Sequence, residues 1–460
     1  MTTDLTQMFA PGFLEKHRLK LHHTDAGLHA FAVNRLSEPL EHWLLFLSEG
    51  RLELTYLDET AWARIDHPEA QESHQDGDEK IVRWVQELLT EAVTTGASDI
   101  HVEPRTHRVQ VRFRQDGRLQ VVRDFGLEYR DELISRVKVL ADLDIAEKRR
   151  PQDGKIQITV RGRAVDFRVS TIPTGKGEKL VIRVLDQSQG QWQLEKLGMP
   201  EPIEAAVREG IGRPHGLVLV TGPTGSGKTT TLYAALQEIK NDQLNIMTIE
   251  DPIEYQIDGL NQSQVRPALG YGFSDALRSF LRQDPNVIMV GEIRDGETAD
   301  MSIRASLTGH LVLSTLHTNT APGAVPRLID IGAEPYLVAS ALHLVVAQRL
   351  VRRLCPDCKA EDTRSADTIR KYDLPAEASE TFWNGRDCPR CQQTGYRGRC
   401  GVFEAFTIND AIRDAIHDRK PEPELRRLAS DYQPMVRHGL ALAARGLTSL
   451  DELLREIVLL

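Results

Sequence analysis

Three glycines stand directly ahead of a lysine and a threonine in Gly222-Pro223-Thr224-Gly225-Ser226-Gly227-Lys228-Thr229, and Thr230 follows. Glycines at that spacing let backbone N–H groups turn inward on an anion, the lysine ammonium reaches the outer phosphate oxygens, and the next hydroxyl suits a magnesium ion. The chemistry expected is binding of ATP, with residues 222–230 as the cradle, Lys228 on the β- and γ-phosphates and Thr229 on Mg2+. Hydrolysis needs carboxylates beside that cradle. Glu292 comes directly after the apolar run 287–291, and Glu250, Asp251 and Glu254 close a second run that starts at Ile246. Carboxyl ends of neighbouring strands are where open α/β sheets collect such groups. His310 and His317 bracket the apolar stretch 311–316. In an ideally extended run their rings would point to opposite faces, so one of the two is expected to sense phosphate.

Cys355-Pro-Asp-Cys358 and Cys388-Pro-Arg-Cys391 are paired knuckles of the kind that close a tetrahedral zinc site. The interval 359–387 exceeds common zinc-ribbon spacing, so a small inserted subdomain is expected between them. Cys400, outside the pattern, reads as an inert buried thiol.

The elements that must position these residues follow from periodicity. Around 222–229 the apolar run 217–220 precedes the loop and a helical run starts at Lys228. Strands at 216–221, 244–250, 287–291 and 311–316 alternate with helices, the pattern of a parallel α/β sheet. Upstream, apolar positions at 81, 82, 85, 88, 89 and 93 repeat at helical spacing. The alternation at 109–113 runs into Asp116-Gly117, a hairpin turn signal. Further strands at 156–160, 164–171 and 179–185 complete an α+β domain over 80–187. Residues 1–70 form a small N-terminal domain, 71–79 a polar linker and 188–197 a second linker. Residues 198–460 form the α/β domain, including a zinc-binding subdomain at 351–400 and a helical region at 401–460.

With 460 residues, several cores are required. The formal charge of -10 argues against a general nucleic-acid binder, although basic residues cluster at 148–150 and 349–353. Five cysteines do not suggest a disulfide framework. No run approaches the roughly 20 apolar residues of a membrane span. The best candidate, 336–351, is interrupted by His343, Gln348 and Arg349 and reads as a buried helix. The N-terminus has no basic region followed by an apolar one, so a cytoplasmic location is expected.

Taken together, these segments resemble the secretion ATPase superfamily, specifically the type II secretion ATPase and the type IV pilus assembly ATPase, over about residues 80–460. The resemblance is carried by Ser98-Asp-Ile-His-Val-Glu-Pro104, Arg150-Pro-Gln-Asp-Gly154, residues 222–229, Ile249-Glu-Asp-Pro-Ile-Glu254 and Gly291-Glu-Ile-Arg-Asp295. Thr308-Gly-His-Leu-Val-Leu-Ser-Thr-Leu-His-Thr-Asn319, Gln348-Arg-Leu-Val-Arg-Arg-Leu-Cys355 and the knuckles complete it. It implies a RecA-like ATPase domain preceded by a PAS-like α+β domain, assembled as a homohexamer. It also implies that Glu254 belongs to an Asp box, Glu292 to Walker B, and His310 and His317 to a His box. The implied partners are an inner-membrane platform protein and the cytoplasmic domain of a membrane adaptor, with peripheral membrane association through them and no nucleic acid. Asn286 stands where relatives usually carry Asp, and Lys155 where Arg is common. Cations able to reach the γ-phosphate are scarce in the α/β half besides Lys228, so a second is expected, and the resemblance points to the domain at 80–187 for it, with Arg150, Arg168 and Arg183 as candidates. A pilus assembly motor would use the same motifs, and a nucleic-acid translocase is the rival from another class.

Overall fold

The computed structural model describes residues 14, 18–24, 27–33, 36–48, 52–56, 68–186, 192–376 and 380–457. The chain divides into two compact units, residues 1–89 with 131–137, and residues 90–130 with 138–460.

In the first unit, strands β1 (Leu19–Thr24) and β2 (Gly27–Ala32) pair antiparallel, and β3 (Leu52–Tyr56) runs parallel to β2. Helix α1 (Glu38–Leu47) places Leu40 and Leu44, one turn apart, into a small core with Leu19, Leu28, Ala30 and Ala32. Helix α2 (Pro68–Thr95) occupies residues 71–79, which were expected as a flexible linker. Glu, Gln and Ala favour helix, so a composition without large apolar residues suits a solvated helix as well as a tether.

The second unit carries two large sheets. The first has six antiparallel strands in the order β6-β5-β4-β9-β8-β7. They are β4 (Asp99–Pro104), β5 (Arg108–Gln115), β6 (Arg118–Gly126), β7 (Gln152–Val160), β8 (Arg163–Thr174) and β9 (Gly177–Asp186). Helix α3 (Arg130–Leu140) lies between β6 and β7 in sequence. Asp116 and Gly117 join β5 to β6 with φ of 48° and 84°, the left-handed pair that a type I′ turn requires. Period-two alternation sorts the sheet's side chains. Phe113, Ile100, Ile182 and Val169 form one cross-strand row and are buried; Arg114, Asp99, Arg183, Arg168 and Lys155 form the next, on the opposite face.

The second sheet has the order β12-β11-β13-β14-β10-β15-β18. Its parallel members are β10 (Gly216–Thr221), β11 (Ile246–Glu250), β12 (Asn261–Gln264), β13 (Val287–Val290), β14 (Leu311–Leu316) and β15 (Leu342–Leu354). β16 (Lys359–Glu361) and β17 (Trp383–Gly385) pair with each other outside this sheet, and β18 (Tyr396–Thr407) closes its edge antiparallel to β15. Buried strands alternate between two cores. One holds Val218, Val220, Leu311 and Leu313 against Leu232, Tyr233 and Leu236 of α5 (Lys228–Ile239) and Val207 and Ile211 of α4 (Glu201–Ile211). The other holds Leu217, Leu219, Val312 and Leu316 with Ala276 and Phe280 of α6 (Phe273–Phe280) and Ala299 and Ile303 of α7 (Gly296–Leu307).

Two expectations are corrected. Residues 336–351 are not one helix: a short helix (Pro335–Ala341) gives way to β15 at Leu342. The segment is covered on both faces, and a strand buried twice reads as a continuous apolar run that periodicity cannot distinguish from a helix. The helical C-terminal region begins at Asp410 rather than 401, because 401–407 belong to β18. Of the expected linker 188–197, residues 188–191 lie outside the described residues, and Leu194–Leu197 is a 3₁₀ turn that buries Leu194.

Candidate functional site

The loop between β10 and α5 is shaped by its glycines. Gly222, Gly225 and Gly227 take φ of 147°, 81° and 88°, where side chains are strained. Two of them are also crowded. A Cβ on Gly222 would lie 2.4 Å from the Gln348 carbonyl oxygen, and one on Gly227 would lie 2.8 Å from Gln348 Nε2. Pro223, Thr224 and Gly225 are exposed at the crest, and Thr229 and Thr230 are exposed on the first turn of α5. That turn has no side-chain cap, leaving its N–H groups to an anion.

Inside the loop, Lys228 Nζ donates to the carbonyls of Gly222 (2.8 Å) and Pro223 (3.1 Å). Its ammonium is buried, and desolvation, opposed by the Glu292 carboxylate and reinforced by the Arg349 cation, lowers its pKa to about 8. Ser226 Oγ is buried and has no hydrogen-bond partner. A charged group resting on neutral carbonyls, an orphaned hydroxyl and a glycine cradle fit a phosphate chain.

Glu292 lies two residues beyond β13, at the same sheet edge. Its carboxylate pairs with Arg294 and, at 3.2 Å, with His317 Nε2. The edge is stitched together: Thr315 Oγ1 donates to the Gly291 carbonyl at 2.8 Å, Ile293 N–H donates to that of Thr315 at 3.0 Å, and Thr318 N–H donates to Thr221 Oγ1 at 2.8 Å. His317 therefore meets Glu292 on a scaffold tied to β10 and β13.

His310 is not part of this cluster. β14 runs parallel to β10, so His310 precedes the strand at the opposite edge, about 20 Å away at roughly 3.3 Å per residue. Its Nδ1 is 2.8 Å from the Ala305 carbonyl at the end of α7. Asn286 also sits at that far edge, where its Oδ1 accepts from Asn245 N–H at 2.8 Å.

The carboxylates after β11 separate by role. Glu250 is buried among Tyr233, Thr248 and Gln262, and burial raises its pKa. Glu254 instead receives Arg168 of β8: Nη1 lies 3.3 Å from its Oε2 while Nη2 donates to the Ile253 carbonyl at 2.6 Å. The cross-strand row explains why. Arg168 lies between Arg183 and Lys155, two like charges, and Asp99 is taken by Arg183 (3.2 Å) and Arg114 (3.5 Å). Arg168 is thereby directed off the sheet toward Glu254, whereas Arg183 stays on it and Arg150 is exposed.

Three residues escaped sequence reasoning. Arg294 lay inside a quoted motif, two positions after Glu292. Gln348 and Arg349 lay in the run read as helix, which hid their alternation. Cations near the loop are therefore not as scarce in the α/β half as expected.

The four cysteine sulfurs, of Cys355, Cys358, Cys388 and Cys391, all lie within 4.8 Å of one another. Cys355–Cys388, Cys358–Cys391 and Cys388–Cys391 are 3.8, 3.9 and 3.5 Å apart. Zinc–thiolate bonds of about 2.3 Å in a tetrahedron set sulfurs about 3.8 Å apart, so the donor set fits zinc. Gly395 N–H donates to Cys391 Sγ at 3.2 Å, a contact that steadies a thiolate. Half-buried Cys400 stands apart on β18, its thiol pushed up by burial.

A sequence model of the type II/IV secretion system protein family matches residues 74–455. The chain belongs to that family. It is 49% identical over 379 residues to the type II secretion system protein E of Klebsiella pneumoniae, covering 82% of this chain and 76% of that one. It is 48% identical over 379 residues to the type II secretion system ATPase E of Vibrio cholerae serotype O1, covering 82% and 75%. Among solved structures it is similar to the pilus retraction motor PilT with bound ADP, at TM-score 0.55 and 27% identity, covering 80% of this chain and 95% of that one. The Legionella pneumophila ATPase DotB shares the fold at TM-score 0.59 and 22% identity, covering 80% and 94%. The likeness to these structures accords with the α/β sheet described above. Among the described residues, no helix is long and apolar enough to cross a membrane.

Proposed function

We propose that this chain is the ATP-hydrolysing motor of a type II secretion system, working as a homohexamer at the cytoplasmic face of the inner membrane. The observation that carries the reading is the gathering of Lys228, Glu292 and His317 at one edge of one sheet, Lys228 following a loop whose three glycines take positive φ. Lys228 exchanges its two carbonyl partners for the β- and γ-phosphate oxygens. Thr229 would hold Mg2+, which supplies charge neutralisation at the phosphates when bound. Glu292, oriented by His317 and Arg294, and Glu254 polarise the attacking water. Arg168 supplies charge from the neighbouring sheet; Arg183 and Arg150 are the remaining candidates for that role. The four cysteines would hold one structural zinc. An inner-membrane platform protein and a membrane adaptor are the partners proposed, with residues 80–187 as a PAS-like domain.

The test is steady-state hydrolysis by the purified full chain. Lys228→Ala abolishes turnover, and Glu292→Gln keeps nucleotide binding while slowing it at least a hundredfold. Full activity in Lys228→Ala overturns the reading. Stimulation by single-stranded DNA would move the chain to the translocase class.

A further inference from the structure

β15 is the strand that flanks the phosphate loop, and two of its consecutive residues reach the site from opposite sides of the sheet. Gln348 is 3% exposed and pairs across β18 with Phe403, which lies in the core beneath α5. Its Oε1 accepts the Thr231 hydroxyl of α5 at 2.6 Å. Its Nε2 and carbonyl oxygen fill the space that side chains at 227 and 222 would take. One side chain and its own backbone thus touch both ends of the loop and the first turn of the helix. Arg349 pairs with Val402, which lies in the other core, so its side chain leaves on the opposite face. There Nη2 donates to Asn319 Oδ1 at 2.8 Å, two residues beyond His317. The segment 317–319 is otherwise tied to β10 through Thr318 and Thr221, whose hydroxyl oxygens are 2.7 Å apart.

We propose that Gln348 and Arg349 are positioning residues that act as a two-sided clamp, Gln348 seating the glycine loop and Arg349 fixing the His317 segment relative to it. The inference rests on the reading of residues 222–230 as an ATP site. The two halves have different consequences. Gln348 holds the cradle and the first turn of α5 behind it, so its loss weakens nucleotide binding, because the loop must be ordered before it can close on phosphate. The Arg349 side chain hydrogen-bonds the segment that carries His317 toward Glu292, so its loss leaves the hydrogen bonds of the cradle in place and reduces the rate of the bound complex.

Equilibrium binding of a fluorescent ADP and single-turnover hydrolysis, both on the full chain, separate these effects. Gln348→Met keeps volume while removing the hydrogen bonds, and is expected to weaken ADP binding about tenfold. Arg349→Ala is expected to bind ADP within about twofold of the parent while single-turnover hydrolysis falls at least tenfold. Asn319→Ala should reproduce the Arg349→Ala rate, and the double variant should be no slower than either single one. Arg349→Lys, which keeps charge and one donor, should recover part of the rate. The clamp is refuted if Gln348→Met binds ADP normally, or if Arg349→Ala loses affinity and rate together in a folded protein. A Gln348→Met chain that does not fold is replaced by Thr231→Val, which removes the same hydrogen bond from the helix side and carries the same expectation. If the parent chain itself neither binds ADP nor hydrolyses ATP, the ATP-site reading fails first.

Discussion

Nucleotide binding above neutral pH should take up a proton, and Lys228 is the group that takes it. In the nucleotide-free protein its pKa is lowered from 10.5 to about 8, burial being the main cause. At about 1.36 kcal/mol per unit, the charged form is disfavoured by about 3 kcal/mol relative to a solvated lysine. A phosphate chain seated against it restores a strongly favourable partner, so the bound-state pKa rises well above that of the free loop. At pH 7 the free lysine is mostly charged and uptake is about 0.1 proton; at pH 8 it is about half, and at pH 9 about 0.9. ADP affinity should accordingly fall about tenfold per pH unit once pH exceeds 8. The sign for folding follows from the same shift. Between pH 8 and 10.5 the unfolded chain holds more proton on this residue, so the contribution of Lys228 to stability rises with pH across that window and is constant below it. Isothermal titration of ADP in buffers of different ionisation enthalpy, at pH 7, 8 and 9, measures the uptake directly. Lys228→Arg, which stays charged, serves as control and should take up none. Equal proton uptake in Lys228→Arg, or none at pH 9 in the parent, would refute the reasoning.

Arg168→Ala should leave ADP affinity nearly unchanged and lower kcat, with Arg168→Lys rescuing poorly because a compact ammonium lacks the planar fork whose two nitrogens reach Glu254 and the Ile253 carbonyl; unchanged steady-state kinetics would remove Arg168 from the site. Protein prepared without chelator should contain one zinc per chain by elemental analysis, and Cys388→Ser should lower the thermal midpoint without abolishing phosphate binding. Arg352 makes a bidentate contact with Glu452 at 2.6 and 2.8 Å, both side chains being buried. Arg352→Ala leaves that carboxylate buried without its main partner and should cost about 3–5 kcal/mol in denaturant unfolding; a cost under 1 kcal/mol would show that Arg118 and Arg455, the flanking cations, suffice.

Much of the site was legible because its chemistry is local. Residues 222–230 declare themselves through glycine spacing, and the cysteines through paired knuckles, since each motif brings its groups together within a few residues. Glu292 and Glu254 could be placed at strand ends by the alternation that marks a parallel sheet. The illegible part is what needs the third dimension. The order of residues puts a strand's length between His310 and His317 but does not say which of them meets Glu292, because that depends on which sheet edge each occupies. Arg168 was a candidate only through resemblance; its aim at Glu254 arises from like-charged neighbours that strand pairing supplies. The run 336–351 was misread for a related reason, burial on both faces having erased the period that would have marked a strand.

β15 is long for a strand, 13 residues, and its middle and its C-terminal end do different work. The carbonyl of Gln348 rests against the phosphate loop, and seven residues further on Cys355 enters the sulfur cluster. Beyond Ala347 β15 pairs with β18 alone, and its register breaks between Arg352 and Leu354, so about 20 Å of a two-stranded ladder, freer to twist than a sheet interior, joins the cysteine module to the loop.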